Sequence, residues 1–163
     1  MGEREELVET LDKHRGLLRR TLRDLTDEQA ARRTTASELC LGGLIKHVAA
    51  VEARWTRFIT GGAEAMRSGD GDGDWAEQFR MAEGETLAGL LAGYEAVARG
   101  TDELVRSLPD LDAAHPLPPA PWFEPGTSWS ARRVVLHLIA ETAQHAGHAD
   151  IIRESLDGAK SMG

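Results

Sequence analysis

The chain has 163 residues, is 41% hydrophobic and 28% charged, and carries a net charge of −8. That is enough chain for one domain with a core of its own, and the acidity argues against a nucleic-acid partner. No run of about 18 apolar residues exists to span a membrane, and the single cysteine, Cys40, forbids an intrachain disulfide and fits a reducing cytoplasm.

The N-terminus "MGEREELVET" is charged from residue 3 and lacks the apolar stretch of a signal peptide. Leu7, Leu11, Leu18, Leu22 and Leu25 then recur at helical intervals, which predicts a first helix over residues 3–23. His14 falls on the same stripe. In "LTDEQAARR", Thr26 or Asp27 is a candidate cap for a short helical turn.

A second helix is predicted over residues 39–59, where Leu44, His47, Val48, Val51, Trp55, Phe58 and Ile59 share a broad face. Gly42 and Gly43 weaken its first turn by roughly 1 kcal/mol each relative to alanine, so close packing against a neighbour is their expected use. Cys40 stands where a serine or threonine cap would serve better. The connection over residues 61–83 is rich in glycine and aspartate. Its "DGDGD" does not make an EF-hand loop: with Asp70 as the first position, the sixth is Trp75 and the twelfth Met81. A solvated turn is expected.

The apolar face of Leu87, Leu90, Leu91, Tyr94, Val97, Leu104, Val105 and Leu108 predicts a third helix over residues 85–108. A proline-rich crossover follows and excludes a long helix. It holds His115, expected to be a hydrogen-bonded core residue, and Trp122 and Phe123, for which packing on the bundle is the leading expectation and lining a pocket mouth or meeting a second subunit the alternatives. The fourth helix is predicted to start after Thr127 or Ser128 and to run to about residue 156, before Gly158. No strand-like alternation and no repeat is visible. The expectation is an all-α protein, a four-helix bundle with two long connections, as one domain over 1–157 with a disordered tail over 158–163.

The fourth helix reads "VVLHLIAETAQHAGHADIIRE". At about 100° per residue, His137, Glu141, His145 and His148 fall within one arc of about 80°, beside core positions. Burying such groups without partners would cost several kcal/mol. Either a metal ion or a neutral hydrogen-bonded network removes that cost. The helical rise separates His137 from His145 by about 12 Å, too far for one ion. Glu141 and His145, about 6 Å apart, can share one, and so can His145 and His148 or His137 and Glu141. A third ligand must come from another helix; His47 is the better candidate and His14 the poorer.

Two segments, "LCLGGLIKHVAAVEARW" around His47 and "VVLHLIAETAQHAGHADIIRE" around His145, resemble the DinB/YfiT-like metalloenzyme superfamily, and more closely its actinobacterial branch. "LTDEQA" and "EGETLAGLLAGYEAVA" fit the same family, so the likeness covers nearly the whole chain. The resemblance implies a bundle that holds one divalent metal by three side chains. A histidine on the second helix matches His47. The other two ligands stand four apart on the last helix, and the glutamate-then-histidine form of the mycothiol-dependent maleylpyruvate isomerase branch matches Glu141 and His145. His148 matches a frequent polar position three residues on. The resemblance puts it behind the ligands or at the pocket edge, with a catalytic role alongside Glu141, and leaves His137 as core or pocket lining.

The resemblance further implies an S-transferase or related metalloenzyme that uses a low-molecular-weight thiol, such as mycothiol, with an electrophilic small molecule. Zinc is the default ion for two histidines and a glutamate; nickel, manganese and iron accept the same ligands. Homodimers are common in the family, and the aromatic crossover with Trp122, Phe123 and Trp129 offers an apolar patch. Two other readings remain at this point: a non-catalytic protein that binds metal or a small ligand in a stress response, and a bundle with a buried polar network and no metal.

Overall fold

A computed structural model describes residues 2–69, 71 and 73–162; Asp70 and Asp72 of the "DGDGD" segment lie outside the described residues. Four long helices form the bundle, as the apolar periodicities require. Helix α1 (Glu3–Arg20) opens with Glu3, Glu5 and Glu6 and closes with Arg19 and Arg20, charges that complement the helix dipole at both ends. It stops three residues before the predicted end. Asp24 adopts a left-handed φ of 58°, and the buried Arg153 donates to the carbonyls of Thr21 (2.8 Å) and Arg23 (2.7 Å), so carbonyls of the turn after the helix are satisfied from α5. The short α2 (Asp27–Ala31) starts with a reciprocal cap in which the Thr26 hydroxyl accepts from the Gln29 amide and the Gln29 side chain accepts from the Thr26 amide.

Helix α3 (Leu41–Ser68) runs nine residues beyond the predicted end. The sequence reading stopped at Ile59 because two glycines follow. Gly62 does break the helical conformation, at φ 71°, but the chain resumes a helix beyond it. His115 Nε2 lies 3.2 Å from the Ile59 carbonyl and donates to it at the break. Cys40 makes no capping bond, as expected. A Cβ on Gly42 would strike the Met81 side chain, and one on Gly43 would strike the backbone of Phe79. The closest neighbour of this helix start is therefore the connection after α3, with the Ala30 carbonyl of α2 next, 3.3 Å from a Cβ on Gly42. That connection contains a 3-10 turn, Trp75–Phe79, capped by Asp74.

Helix α4 (Leu87–Ser107) is capped by the Thr86 hydroxyl. Two three-residue strands follow, which the sequence reading did not anticipate: β1 (Ala114–Pro116) and β2 (Ser128–Ser130) pair antiparallel, His115 opposite Trp129. Three residues are too few to display an alternation. Because Ser128 is spent in β2, the cap of α5 (Ala131–Asp157) is Ser130 rather than the predicted Thr127 or Ser128. Gly158 ends α5 in the left-handed conformation at φ 81°. Beyond it the Lys160 carbonyl accepts from Arg23 (2.9 Å), and the buried Ser161 donates its amide to Asp150 (2.7 Å).

Helix α1 lies against α5 and α4, and α3 lies against α4 and α5. The core has two apolar clusters, one around Leu18, Leu44, Tyr94 and Ile152, the other around Val8, Phe58, Val105 and Leu138. Arg15 falls between Leu11 and Leu18 on α1, and Glu52 between Val48 and Trp55 on α3. Both are fully buried and paired to one another, and Arg15 also donates to Asp102 on α4 at 2.8 Å. A charged crosslink through three helices thus separates the clusters.

Candidate metal centre

Helix α3 carries His47 on its buried face, opposite α5. The four-residue spacing of Glu141 and His145 stacks their side chains on one face of α5. The two helices bring one ligand atom of each residue within 4.8 Å of the others, and this trio is the group of possible metal ligands among the described residues. The rings of His47 and His145 stand edge to face with centroids 4.9 Å apart. His145 Nε2 lies 3.4 Å from Glu141 Oε2.

The trio is walled on one side and open on the other. Phe79 stacks on the His47 ring at 4.0 Å, and Trp75 meets it edge-on at 5.6 Å. His47 is buried, whereas the side chains of His145 and Glu141 keep 14% and 30% of their surface exposed, which leaves a face for a small molecule to reach. A depression of about 320 Å³ shares Trp75 and Phe79 with that wall and is also lined by Leu39 and Arg80.

Electrostatics prepare the trio for a cation. Burial pushes the His47 pKa down to about 4, His145 nearby adds to the effect, and Glu141 opposes it. The ring is therefore neutral at pH 7, with a lone pair available. The hydrogen bond from His145 holds the Glu141 carboxyl below its usual range against the cost of burial, with help from His137 and His47. His47 Nδ1 is buried and has no hydrogen-bond partner. An orphaned acceptor of this kind costs about 1–3 kcal/mol. A neutral His47 imidazole with an unsatisfied buried nitrogen, a second imidazole on His145 and an ionised carboxylate fit a divalent ion.

The remaining candidates separate by geometry. His148 Nδ1 lies 3.2 Å from His145 Nδ1, on the ring edge away from Glu141, so it orients His145 from behind. His137 Nε2 is 3.8 Å from the other oxygen of Glu141, and its ring lies against the side of the stacked Trp55–Trp129 pair, 5.1 Å from each. Burial lowers its pKa, with Glu141 opposing. His14 does not join the trio, and His115 serves the break in α3. Phe123 packs against Trp55 and Trp129 as expected, but Trp122 is 77% exposed, contrary to the expectation that it packs on the bundle: it turns outward where Phe123 fills the space. The sequence reading also missed Phe79 and Trp75 as the wall over His47. The one signal for them was Gly43, whose missing side chain makes room for the Phe79 backbone.

A family model described as mycothiol-S-transferase matches residues 6–158. The chain belongs to the mycothiol-S-transferase family. That family is DinB/YfiT-like, as the sequence resemblance implied. No curated protein matches the chain. The crystal structure of a conserved protein from Enterococcus faecalis is similar, with a TM-score of 0.68 and 16% identity over 98% of this chain and 99% of that one; it attests the fold alone. In this mycothiol-S-transferase family member, the three residues singled out as ligands by the resemblance are the three that the fold brings together.

Proposed function

We propose that the protein is a cytoplasmic, homodimeric thiol S-transferase of the mycothiol type, with a divalent metal, zinc by default, held by His47, Glu141 and His145. The observation that carries this reading is the convergence of one ligand atom from each of the three residues within 4.8 Å, together with a buried His47 Nδ1 that has no hydrogen-bond partner. When bound, the metal supplies Lewis acidity that lowers the pKa of a thiol or water at neutral pH.

The protein's own groups do the rest. His148 Nδ1, 3.2 Å from His145 Nδ1, holds the His145 ring with its Nε2 turned to Glu141. Glu141 stays ionised and presents one oxygen toward His145 and the other toward His137. The oxygen facing His137 is placed to receive the proton as a thiol sulfur bonds to an electrophilic carbon and the leaving group departs. The neutral His137, held against the stacked indoles of Trp55 and Trp129, accepts or returns that proton. Phe79 and Trp75 keep water from the His47 side.

The test is metal content by elemental analysis of protein purified without a metal-binding tag, for the wild type and for His47→Ala and His145→Ala. One ion per chain in the wild type and loss in both variants is expected. Unchanged stoichiometry in either variant, or no uptake of zinc or nickel by the wild type, would sink the proposed site. A panel of thiols with a generic electrophile then separates a transferase from a protein that binds metal without catalysis.

A further inference from the structure

Helix α5 carries a second stripe, about 100° round from the ligand face. Leu136 and Ile151 lie on it, 47% and 63% exposed. Between them the stripe is lined by Ala140, Ala143, Gln144 and Gly147, and of these only Ala143 is partly covered. Exposed Arg133 and Glu154 close its two ends. A largely apolar strip about 22 Å long, with small residues in the middle and opposite charges beyond its ends, is unusual on the outside of a bundle helix.

The order of these residues is self-complementary. Rotating a second α5 antiparallel about a point between Ala143 and Gln144 sets Leu136 against Ile151 and Ala140 against Gly147. The same rotation sets Arg133 against Glu154, and each pairing occurs twice. A two-fold interface demands this property of its surface, and the small central residues let the helix axes approach closely. The exposed Trp122 adds apolar area at the Arg133 end, because Trp122 meets Phe123, Phe123 meets Trp129, and the Arg133 guanidinium lies 4.1 Å over the Trp129 ring. At the opposite end the exposed Met162 follows Ser161, which is bonded to Asp150. Antiparallel pairing brings Trp122 of one copy toward the tail of the other. One helix face alone falls short of the roughly 800 Å² per partner of a stable interface, and these two flanks extend it.

We infer that the outer face of α5 is a homodimer interface in which two copies pair antiparallel about Ala143 and Gln144. The inference is independent of metal chemistry, although it sets the partner beside the open edge of the trio.

Gly147→Arg gives a clean test, since nothing lies within 4 Å of a Cβ at that position in the single chain. Sedimentation of the full chain should give twice the 17.7 kDa chain mass for the wild type and the single-chain mass for Gly147→Arg, with circular dichroism unchanged. Arg133→Glu and Glu154→Arg should each weaken the dimer, by roughly tenfold or more from the two like-charge pairs each creates, and the double variant should restore it. A monomeric wild type would overturn the inference. So would a Gly147→Arg variant that remains dimeric, or a double charge variant no tighter than the single ones. Sedimentation does not depend on bound metal, so its failure leaves the metal reading standing.

Discussion

Replacing Arg15 with methionine probes how the core tolerates its charged crosslink. The guanidinium is fully buried, bonds Glu52 through two nitrogens and donates a third bond to Asp102. Methionine fills a similar length of apolar space but leaves the Glu52 carboxylate, 1% exposed, without its partner. Removing one member of a buried pair costs about 3–5 kcal/mol. At about 2–4 °C per kcal/mol for a chain of this size, the melting temperature should fall by roughly 6–20 °C. Urea unfolding at pH 7 measures the loss directly, and Arg15→Met with Glu52→Leu should recover most of it, because a pair of apolar residues replaces a desolvated ion pair at little net cost. A loss below about 1 kcal/mol in the single variant, the range of a solvated surface pair, would refute the claim that this pair is buried and interdependent. A double variant no more stable than the single would refute the explanation by an orphaned charge.

Gly43→Ala pushes a methyl group into the Phe79 backbone; a loss of about 1–3 kcal/mol and weaker metal retention are expected, read by urea unfolding and by dialysis against a chelator. Saturating zinc, at a hundred times its dissociation constant, should stabilise the wild type by about 2.7 kcal/mol and leave His145→Ala unmoved in a thermal shift assay. His148→Ala removes the group behind His145 and should cost about 10–100-fold in metal affinity with stoichiometry at saturation intact; a lost site would make His148 a ligand instead. Gly62→Ala forces a side chain to φ 71° and against the His115 ring, so a melting temperature equal to the wild type would contradict the assigned break in α3.

The all-α bundle was legible because each long helix writes its buried face at a 3.6-residue period, and Glu141 and His145 were legible as a pair for the same reason. The rise per residue separated them from His137 before any fold was known. The choice of His47 over His14 is different. Both sit on apolar stripes of their helices, and periodicity alone ranks them only weakly; the resemblance favoured His47. The outward turn of Trp122 and the inward turn of Phe123 were likewise invisible, since adjacent aromatics in a proline-rich crossover carry no periodic signal.

Local repetition therefore determined which residues share a helix face, where the chain must turn and which two α5 residues can hold one ion. The tertiary structure decided which helix delivers the third ligand, that Phe79 and Trp75 close over it, and that Arg15 finds Glu52 and Asp102 across the core. Helical geometry is fixed by bonds within a few residues of each other, so the sequence displays it directly. The metal trio and the charged crosslink join residues 37–98 positions apart, and such contacts exist only once α1, α3, α4 and α5 have packed.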